Sequence, residues 1–269
     1  MAAWLATGAM IYGGLLAGLY LFQRQLLYHP ARSTPDLAQS GVPDMRPVRL
    51  KTADGLDLLA WYKPPMPGRR VLLFFHGNAG HIGHRGWKAR PFLDAGYGVL
   101  LLSWRGFGGN DGSPSEAGLL NDARAALAFA ASQGVAHRQV ALYGESLGSG
   151  LAVQLAAEAA GTGQPVGAVV LEAPYTSIAE VAQHHYFYVP ARYMVSDKFD
   201  STTRIAAIGA PLLIVHGERD RTVPVRFGRE LFDAAVQPKQ AAWLQDAGHN
   251  DLYEFGAAER VRRFIEQLP

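Results

Sequence analysis

The sequence predicts an α/β domain with a mostly parallel central sheet, helices on both faces, and one separate apolar helix at the N-terminus. Three observations predict it. From Val71 onward, short continuous apolar runs alternate with longer helical stretches. Ala2 to Phe22 carries no charged residue. A glycine-flanked serine, in Gly144-Glu145-Ser146-Leu147-Gly148, falls where an apolar run passes into an alanine-rich stretch.

Composition bounds the rest. The chain has 269 residues, 49% of them apolar and 18% charged, which suits one large folded domain with a short appendage and excludes disorder. A formal charge of +2 with no Lys/Arg-rich run excludes a nucleic-acid partner. With no cysteine, disulfides, thiolate catalysis and cysteine metal sites are excluded.

Residues 1–27 are expected to form a membrane anchor. At about 1.5 Å per residue, Ala2 to Phe22 crosses a hydrocarbon layer about 30 Å thick, so the bilayer is the expected partner of residues 2–22. Trp4, Tyr12, Tyr20 and Tyr28 suit the two interfaces. A secretory signal would need a basic segment before the apolar run and small residues at its end. No Lys or Arg precedes it, and Phe22-Gln23-Arg24 is a poor cleavage site. A buried or interfacial helix is the other reading. Arg24 and Arg32 follow the span, so the positive-inside rule puts the large domain in the cytoplasm. Gly14 and Gly18 form a GxxxG pair, a weak signal in so glycine-rich a stretch.

Residues 28–47, with four prolines, read as a connector, and 48–269 as the domain. Val48–Lys51 and Leu56–Tyr62 flank the turn dipeptide Asp54-Gly55 and predict an antiparallel hairpin. Val71–Phe75, Val99–Ser103, Val140–Tyr143, Ala168–Glu172 and Leu212–His216 predict strands buried on both faces. Gly83–Ala95, Ser115–Gln133, Leu147–Ala160 and Val225–Ala235 predict the helices between them. Ala242–Leu244 is the expected last strand, and Ala257–Gln267 the closing helix. In open sheets of this kind, sites form at the carboxyl ends of strands.

Ser146 is the candidate nucleophile. A serine on a sharp strand-to-helix turn has an exposed hydroxyl and a strained backbone. Gly144 and Gly148 fit because strand and helix backbones pass too close there for a Cβ. The helix N-terminus also favours developing negative charge. The serine needs a base, and the base an orienting acid. His249, in Gly248-His249-Asn250-Asp251 after the last strand, is the candidate base. Asp220, in Gly217-Glu218-Arg219-Asp220 after Leu212–His216, is the candidate acid, with Glu218 and Asp251 as alternatives. An oxyanion would be met by the backbone N–H groups of Leu147, next to the serine, and Asn78, in the loop His76-Gly77-Asn78-Ala79-Gly80. No carboxylate joins His76, His81 and His84 at ligand spacing, so no metal site is expected. The loop lacks the lysine of a phosphate-binding Walker pattern, and no cofactor is expected.

With these residues assembled, the chain resembles the α/β-hydrolase superfamily, and within it the membrane-anchored branch called Bem46-like. The carriers are Phe22-Gln23-Arg24-Gln25-Leu26-Leu27-Tyr28-His29-Pro30, the His76 loop, Arg105-Gly106-Phe107-Gly108, and Gly112-Ser113-Pro114-Ser115-Glu116. The segments around Ser146, Asp220 and His249 complete the set. The resemblance covers nearly the whole chain. It implies an α/β-hydrolase fold and hydrolysis of carboxylic esters or acyl thioesters through an acyl-enzyme; an anchor would hold such a site near membrane lipids and acylated proteins, the expected sources of substrate. Ser103-Trp104-Arg105 departs from the Asp-Tyr-Arg expected there, a difference of packing. Eukaryotic depalmitoylating relatives carry an N-terminal cysteine cluster, where this chain has an apolar span.

Residues 175–203 form an expected short cap-like insertion. Tyr175, Tyr186, Phe187, Tyr188 and Met194 within it are candidates for an acyl pocket, the alternative being a short helix that packs its rings on the sheet. Two other functions stay open from the residues alone. One is a peptidase or amidase using the same triad, and the other a tethered scaffold without catalysis. A serine nucleophile argues against epoxide or haloalkane hydrolysis, which needs a carboxylate.

Overall fold

The computed structural model describes residues 1–268. The apolar N-terminus is one helix, α1 (Ala2–Leu27), long and apolar enough to cross a membrane, with none of its residues fully buried. The strands that follow are β1 (His29–Pro30), β2 (Arg46–Lys51), β3 (Asp57–Lys63), β4 (Val71–Phe75), β5 (Ala79–Gly80), β6 (Gly98–Leu102), β7 (Val140–Glu145), β8 (Ala168–Glu172), β9 (Leu212–Gly217) and β10 (Lys239–Leu244). Eight of them make one sheet in the order β10-β9-β8-β7-β4-β6-β3-β2. The hairpin β2–β3 and the pair β3–β6 are antiparallel, and all other pairs in this sheet are parallel. The inner strands β4, β6, β7 and β8 are buried along their whole length, because helices cover both faces.

Those helices are α2 (Gly86–Asp94), α3 (Glu116–Ser132), α4 (Leu147–Gly161), α5 (Ile178–His185), α6 (Ala191–Met194), α7 (Val225–Ala234) and α8 (Ala257–Glu266). One apolar cluster joins α3, α4 and α7 to one sheet face, and another joins α2 and α8 to the other. Ser115 starts α3 by accepting from Gly118 N–H, and Ser177 starts α5 by accepting from Glu180 N–H.

The structure departs from the predicted boundaries in three places. The helix expected over 83–95 splits into a 3₁₀ turn, Ile82–His84, and α2, with Arg85 as the junction at φ −119°, ψ −2°. The last strand begins at Lys239, three residues early: its first two residues, Lys239 and Gln240, are polar, which hides them from an apolar-run criterion. The connector is docked. β1 pairs in parallel with β5, and Val42 and Met45 are buried beside Trp61 and Phe92.

One buried ion pair ties the sheet to α3. Arg105, just past β6, donates to Asp122 Oδ1 from Nε at 2.9 Å and from Nη2 at 2.7 Å, and to Asp54 Oδ2 from Nη1 at 2.6 Å. Asp122 is fully buried, and burial pushes its carboxyl pKa up against the pull of Arg105. Removing the guanidinium would leave that carboxylate without a counter-charge. Arg105→Met is expected to lower stability by about 3–5 kcal/mol, read from urea denaturation in detergent.

Candidate active site

The turn from β7 to α4 sets the geometry of the site. Ser146 sits there at φ 48°, ψ −115°, outside the comfortable regions for a residue with a side chain. Close packing enforces the turn. A Cβ on Gly148 would lie 2.0 Å from Phe75 O, and one on Gly144 would lie 2.5 Å from Gly148 O and Ser149 Cα. Ser146 N–H donates to Glu172 O at 2.8 Å, fixing the turn to β8.

Two loops bring partners to the serine. β9 ends at Gly217 and the chain turns through Asp220, while β10 ends at Leu244 and turns through His249. His249 Nε2 lies 3.1 Å from Ser146 Oγ, and its Nδ1 lies 2.6 Å from Asp220 Oδ2. With a proton on Nδ1, the imidazole donates to the carboxylate and leaves Nε2 free to accept from the hydroxyl. Asp220 Oδ1 accepts from Thr222 N–H and Val223 N–H, both at 2.8 Å. His216 approaches Oδ2 at 3.2 Å, sharing its Nε2 with Val223 O at 2.8 Å. Burial pushes the Asp220 pKa up, but the hydrogen bonds from His216 and His249 outweigh it and hold the carboxyl well below its usual range. The two alternative acids are engaged elsewhere: Glu218 with Arg229, and Asp251 with Gly248 N–H.

Ser146 opens into a cavity of about 520 Å³. Leu147 and Asn78 line it next to the serine. Hydrogen bonds from three directions hold the Asn78 loop. Asn78 Nδ2 donates to Leu27 O at 2.7 Å, His29 N–H donates to Asn78 O at 2.8 Å, and Trp104 Nε1 donates to His76 O at 3.0 Å. Trp104, the departure noted in the sequence, thus reaches this loop. His81 and His84 stack with ring centres 4.1 Å apart, while buried His76 packs edge-on against Phe107.

The cap residues divide. Tyr175, Tyr186 and Met194 line the cavity, and Tyr175 Oη donates to Leu147 O at 2.9 Å. Phe187 and Tyr188 do not: they stand 80% and 52% exposed on the outer side of the turn between α5 and α6. That corrects both expectations for these two rings, since they neither line a pocket nor pack on the sheet. The turn reverses the chain at this point, and only the side facing the sheet reaches the cavity. In their place α1 supplies a wall through Leu19, Gln23, Leu26 and Leu27. An all-round apolar helix gives no periodicity from which to read its docked face, so this wall was not legible in the sequence. His216 was missed too. Its only signal was its position at the end of β9.

Comparisons agree with this architecture. Residues 70–204 match the family model described as the alpha/beta hydrolase fold. An uncharacterised protein of Mycobacterium tuberculosis is 38% identical over 268 residues, covering 97% of this chain and 94% of the relative. The chain belongs to the α/β-hydrolase family. The lysophosphatidylserine lipase ABHD12 of Mus musculus is 33% identical over 242 residues, covering 81% of this chain and 60% of that hydrolase. An esterase of Pyrococcus furiosus superposes with a TM-score of 0.72 at 17% identity, over 90% of this chain and 97% of the other. An alpha-beta hydrolase of Vibrio vulnificus gives a TM-score of 0.71 at 22% identity, over 88% and 87%. Esterases and a lipase are thus among the hydrolases it resembles.

A buried charge cluster backs the hydrolase elbow. Glu145, just before Ser146, accepts from Arg85 Nε at 2.8 Å, and Lys88 Nζ lies 2.5 Å from Glu172 Oε1. Burial favours the neutral Glu145 acid, but Lys88 and Arg85 reverse this and bring its pKa down to about 2. Tyr143 closes the cluster, its hydroxyl donating to Glu172 Oε2 and lying in hydrogen-bond reach of the Tyr253 hydroxyl. Glu145 therefore stays charged, and its ion pairs with Arg85 and Lys88 fix the end of β7 beneath the serine.

The lowered Asp220 pKa makes a pH-dependent contribution to stability. It is complete above the ordinary value of 3.8 and is lost as pH falls through the depressed folded-state value. Asp220→Asn is expected to unfold at lower denaturant than the parent at pH 7, with the gap narrowing below about pH 4. Chemical denaturation across pH measures it.

Proposed function

We propose that this α/β-hydrolase is a membrane-anchored serine hydrolase that cleaves carboxylic esters or acyl thioesters carrying one long acyl chain. The single observation that carries the reading is the relay at the floor of an apolar cavity: Ser146 Oγ to His249 Nε2 at 3.1 Å, and His249 Nδ1 to Asp220 at 2.6 Å.

The chemistry follows from that relay. Ser146 Oγ attacks the acyl carbonyl while His249 Nε2 takes its proton, and Asp220 steadies the imidazolium. The carbonyl oxygen gains charge and is met by the Leu147 and Asn78 N–H groups. When the tetrahedral centre collapses, the bond to the alcohol or thiol breaks and the leaving group receives the proton from His249. Water then gives a proton to His249 and attacks the acyl-serine carbonyl; the bond to Ser146 Oγ breaks, His249 returns the proton to that oxygen, and the acid leaves.

Substrate class rests on the cavity walls. Leu19, Leu26, Ile178, Val181, Val189 and Met194 present mainly aliphatic surface, which suits an acyl chain and leaves the polar end of the molecule toward Ser146. Resemblance to a lysophosphatidylserine lipase supports a one-chain lipid ester. Residues 2–22 of α1 anchor the protein in the bilayer, and Arg24 and Arg32 beside the span favour a cytoplasmic catalytic domain.

A fluorophosphonate probe applied to detergent-solubilised protein tests the reading. The parent should be labelled and Ser146→Ala should not. Hydrolysis by the variant is expected to fall at least about 10³-fold. Across p-nitrophenyl esters, acyl thioesters, lysophospholipids and anilides, long single-chain esters should give the highest kcat/KM and anilides none. Equal labelling of both proteins would overturn the assignment.

A further inference from the structure

Helix α1 and the cap run side by side over a long stretch. Tyr12 Oη donates to Tyr188 O at 3.2 Å, Ser196 N–H donates to Gln23 Oε1 at 2.7 Å, and Arg24 Nε donates to Asp197 Oδ2 at 2.9 Å. From Tyr12 to Arg24 the helix rises about 18 Å. The turn between α5 and α6 therefore stands level with the middle of the uncharged stretch, well away from its Arg24 end. Of the half-buried positions Leu16, Gly18, Leu19, Gln23 and Leu27, all but Gly18 follow one another on the docked side of the helix.

The turn itself is dressed for an apolar medium. Phe187, Tyr188 and Tyr193 point outward, and Phe187 and Tyr193 are 80% and 81% exposed. Clustered exposed aromatics of this kind mark an interaction surface. Several backbone groups of the turn are paired internally. Tyr186 N–H donates to Ala182 O, Val189 N–H to Tyr186 O and Tyr193 N–H to Pro190 O, and Gln183 Nε2 donates to Val189 O. Internal pairing is what a segment needs to enter hydrocarbon. Between Val181 and Ser196, Arg192 is the one Lys, Arg, Asp or Glu. It lies 3.7 Å from Glu180, on a stem long enough to carry its charge toward the headgroups.

We propose that this aromatic turn is a second membrane-inserted element, entering the leaflet beside α1, so that the acyl cavity opens sideways into that leaflet. The proposal rests on the reading of α1 as a spanning anchor. A cap held in water would leave only Ala2 to Ile11 of the helix, about 15 Å, for a hydrocarbon layer of about 30 Å. It would also hold the exposed Leu15, Leu21 and Phe22 in water. With Ala2 to Phe22 in the layer, the turn docked at Tyr12 is carried in with it.

The same ruler gives the height of the nucleophile. Leu27 lies about 8 Å beyond Phe22 along the helix, and Leu27 O is bonded to Asn78, which lines the cavity beside Ser146. Ser146 thus stands just outside the hydrocarbon, where the ester groups of bilayer lipids lie. The cavity runs back toward the layer between Leu19, Leu26, Tyr186 and Met194. A one-chain amphiphile would reach the serine ester-first without leaving the leaflet.

The cysteine-free chain permits single spin labels on the full-length protein in phosphatidylcholine vesicles. Ile11→Cys reports the anchor, and Phe187→Cys and Tyr193→Cys report the turn. All three labels should collide with oxygen more than with a water-soluble nickel chelate. If Ile11 is in lipid while either turn label meets the chelate freely, the turn proposal fails and the anchor stands. If Ile11 meets the chelate, both fail. Tyr193→Asp adds a functional readout: hydrolysis of a long-chain ester held in vesicles should fall about fivefold or more, with the rate on a water-soluble short-chain ester unchanged. An unchanged vesicle rate, or an equal loss on both substrates, overturns the proposal.

Discussion

The close approach of α4 to the end of β4 is the constraint on which the rest of the site depends. Gly148 touches the Phe75 carbonyl so tightly that no Cβ fits, and the chain must turn at Ser146 through a positive-φ conformation that costs of order 1–3 kcal/mol. Packing on both sheet faces holds the turn there. A serine so held projects its hydroxyl above the sheet rather than into it, at the N-terminus of a long helix.

Around that fixed point the electrostatics are divided between two clusters. On one side, Asp220 is buried yet charged, because two imidazoles and two backbone N–H groups hold it. That keeps the His249 ring in one orientation toward Ser146. On the other side, Arg85 and Lys88 neutralise Glu145 and Glu172 below the elbow. Each cluster satisfies its own charges, so the serine itself faces a cavity whose walls are mainly apolar.

Helix α1 is part of the hydrolase as well as an appendage. Its last turns wall the cavity, and its C-terminal carbonyl at Leu27 is bound by the Asn78 side chain. Asp197 gathers Arg24, the Tyr28 hydroxyl and the Glu116 N–H, joining α1, the cap and α3 at one buried carboxylate. The end of the apolar helix is therefore tied directly to the loop beside Ser146.

Much of this was legible in the sequence. The strands β4, β6, β7, β8 and β9 announce themselves as apolar runs because burial on both faces leaves no room for polar residues. Ser146 is readable because the close approach that strains it also demands Gly144 and Gly148, which leaves a spaced pattern in the chain. Asp220 and His249 could be assigned from their places just after strand ends. Other features left no such trace. His216 beneath Asp220, the pairing of Lys88 with Glu172, and the outward turn of Phe187 and Tyr188 join or separate residues far apart in the chain. The docked face of α1 is hidden because every face of that helix is apolar. Short-range pattern alone determined which residues make the sheet, the elbow and the apolar helix, since backbone sterics and burial act locally. Which of them share a cavity was decided only in three dimensions, by how the helix end, the cap and the loops after β4, β7, β9 and β10 pack against one another.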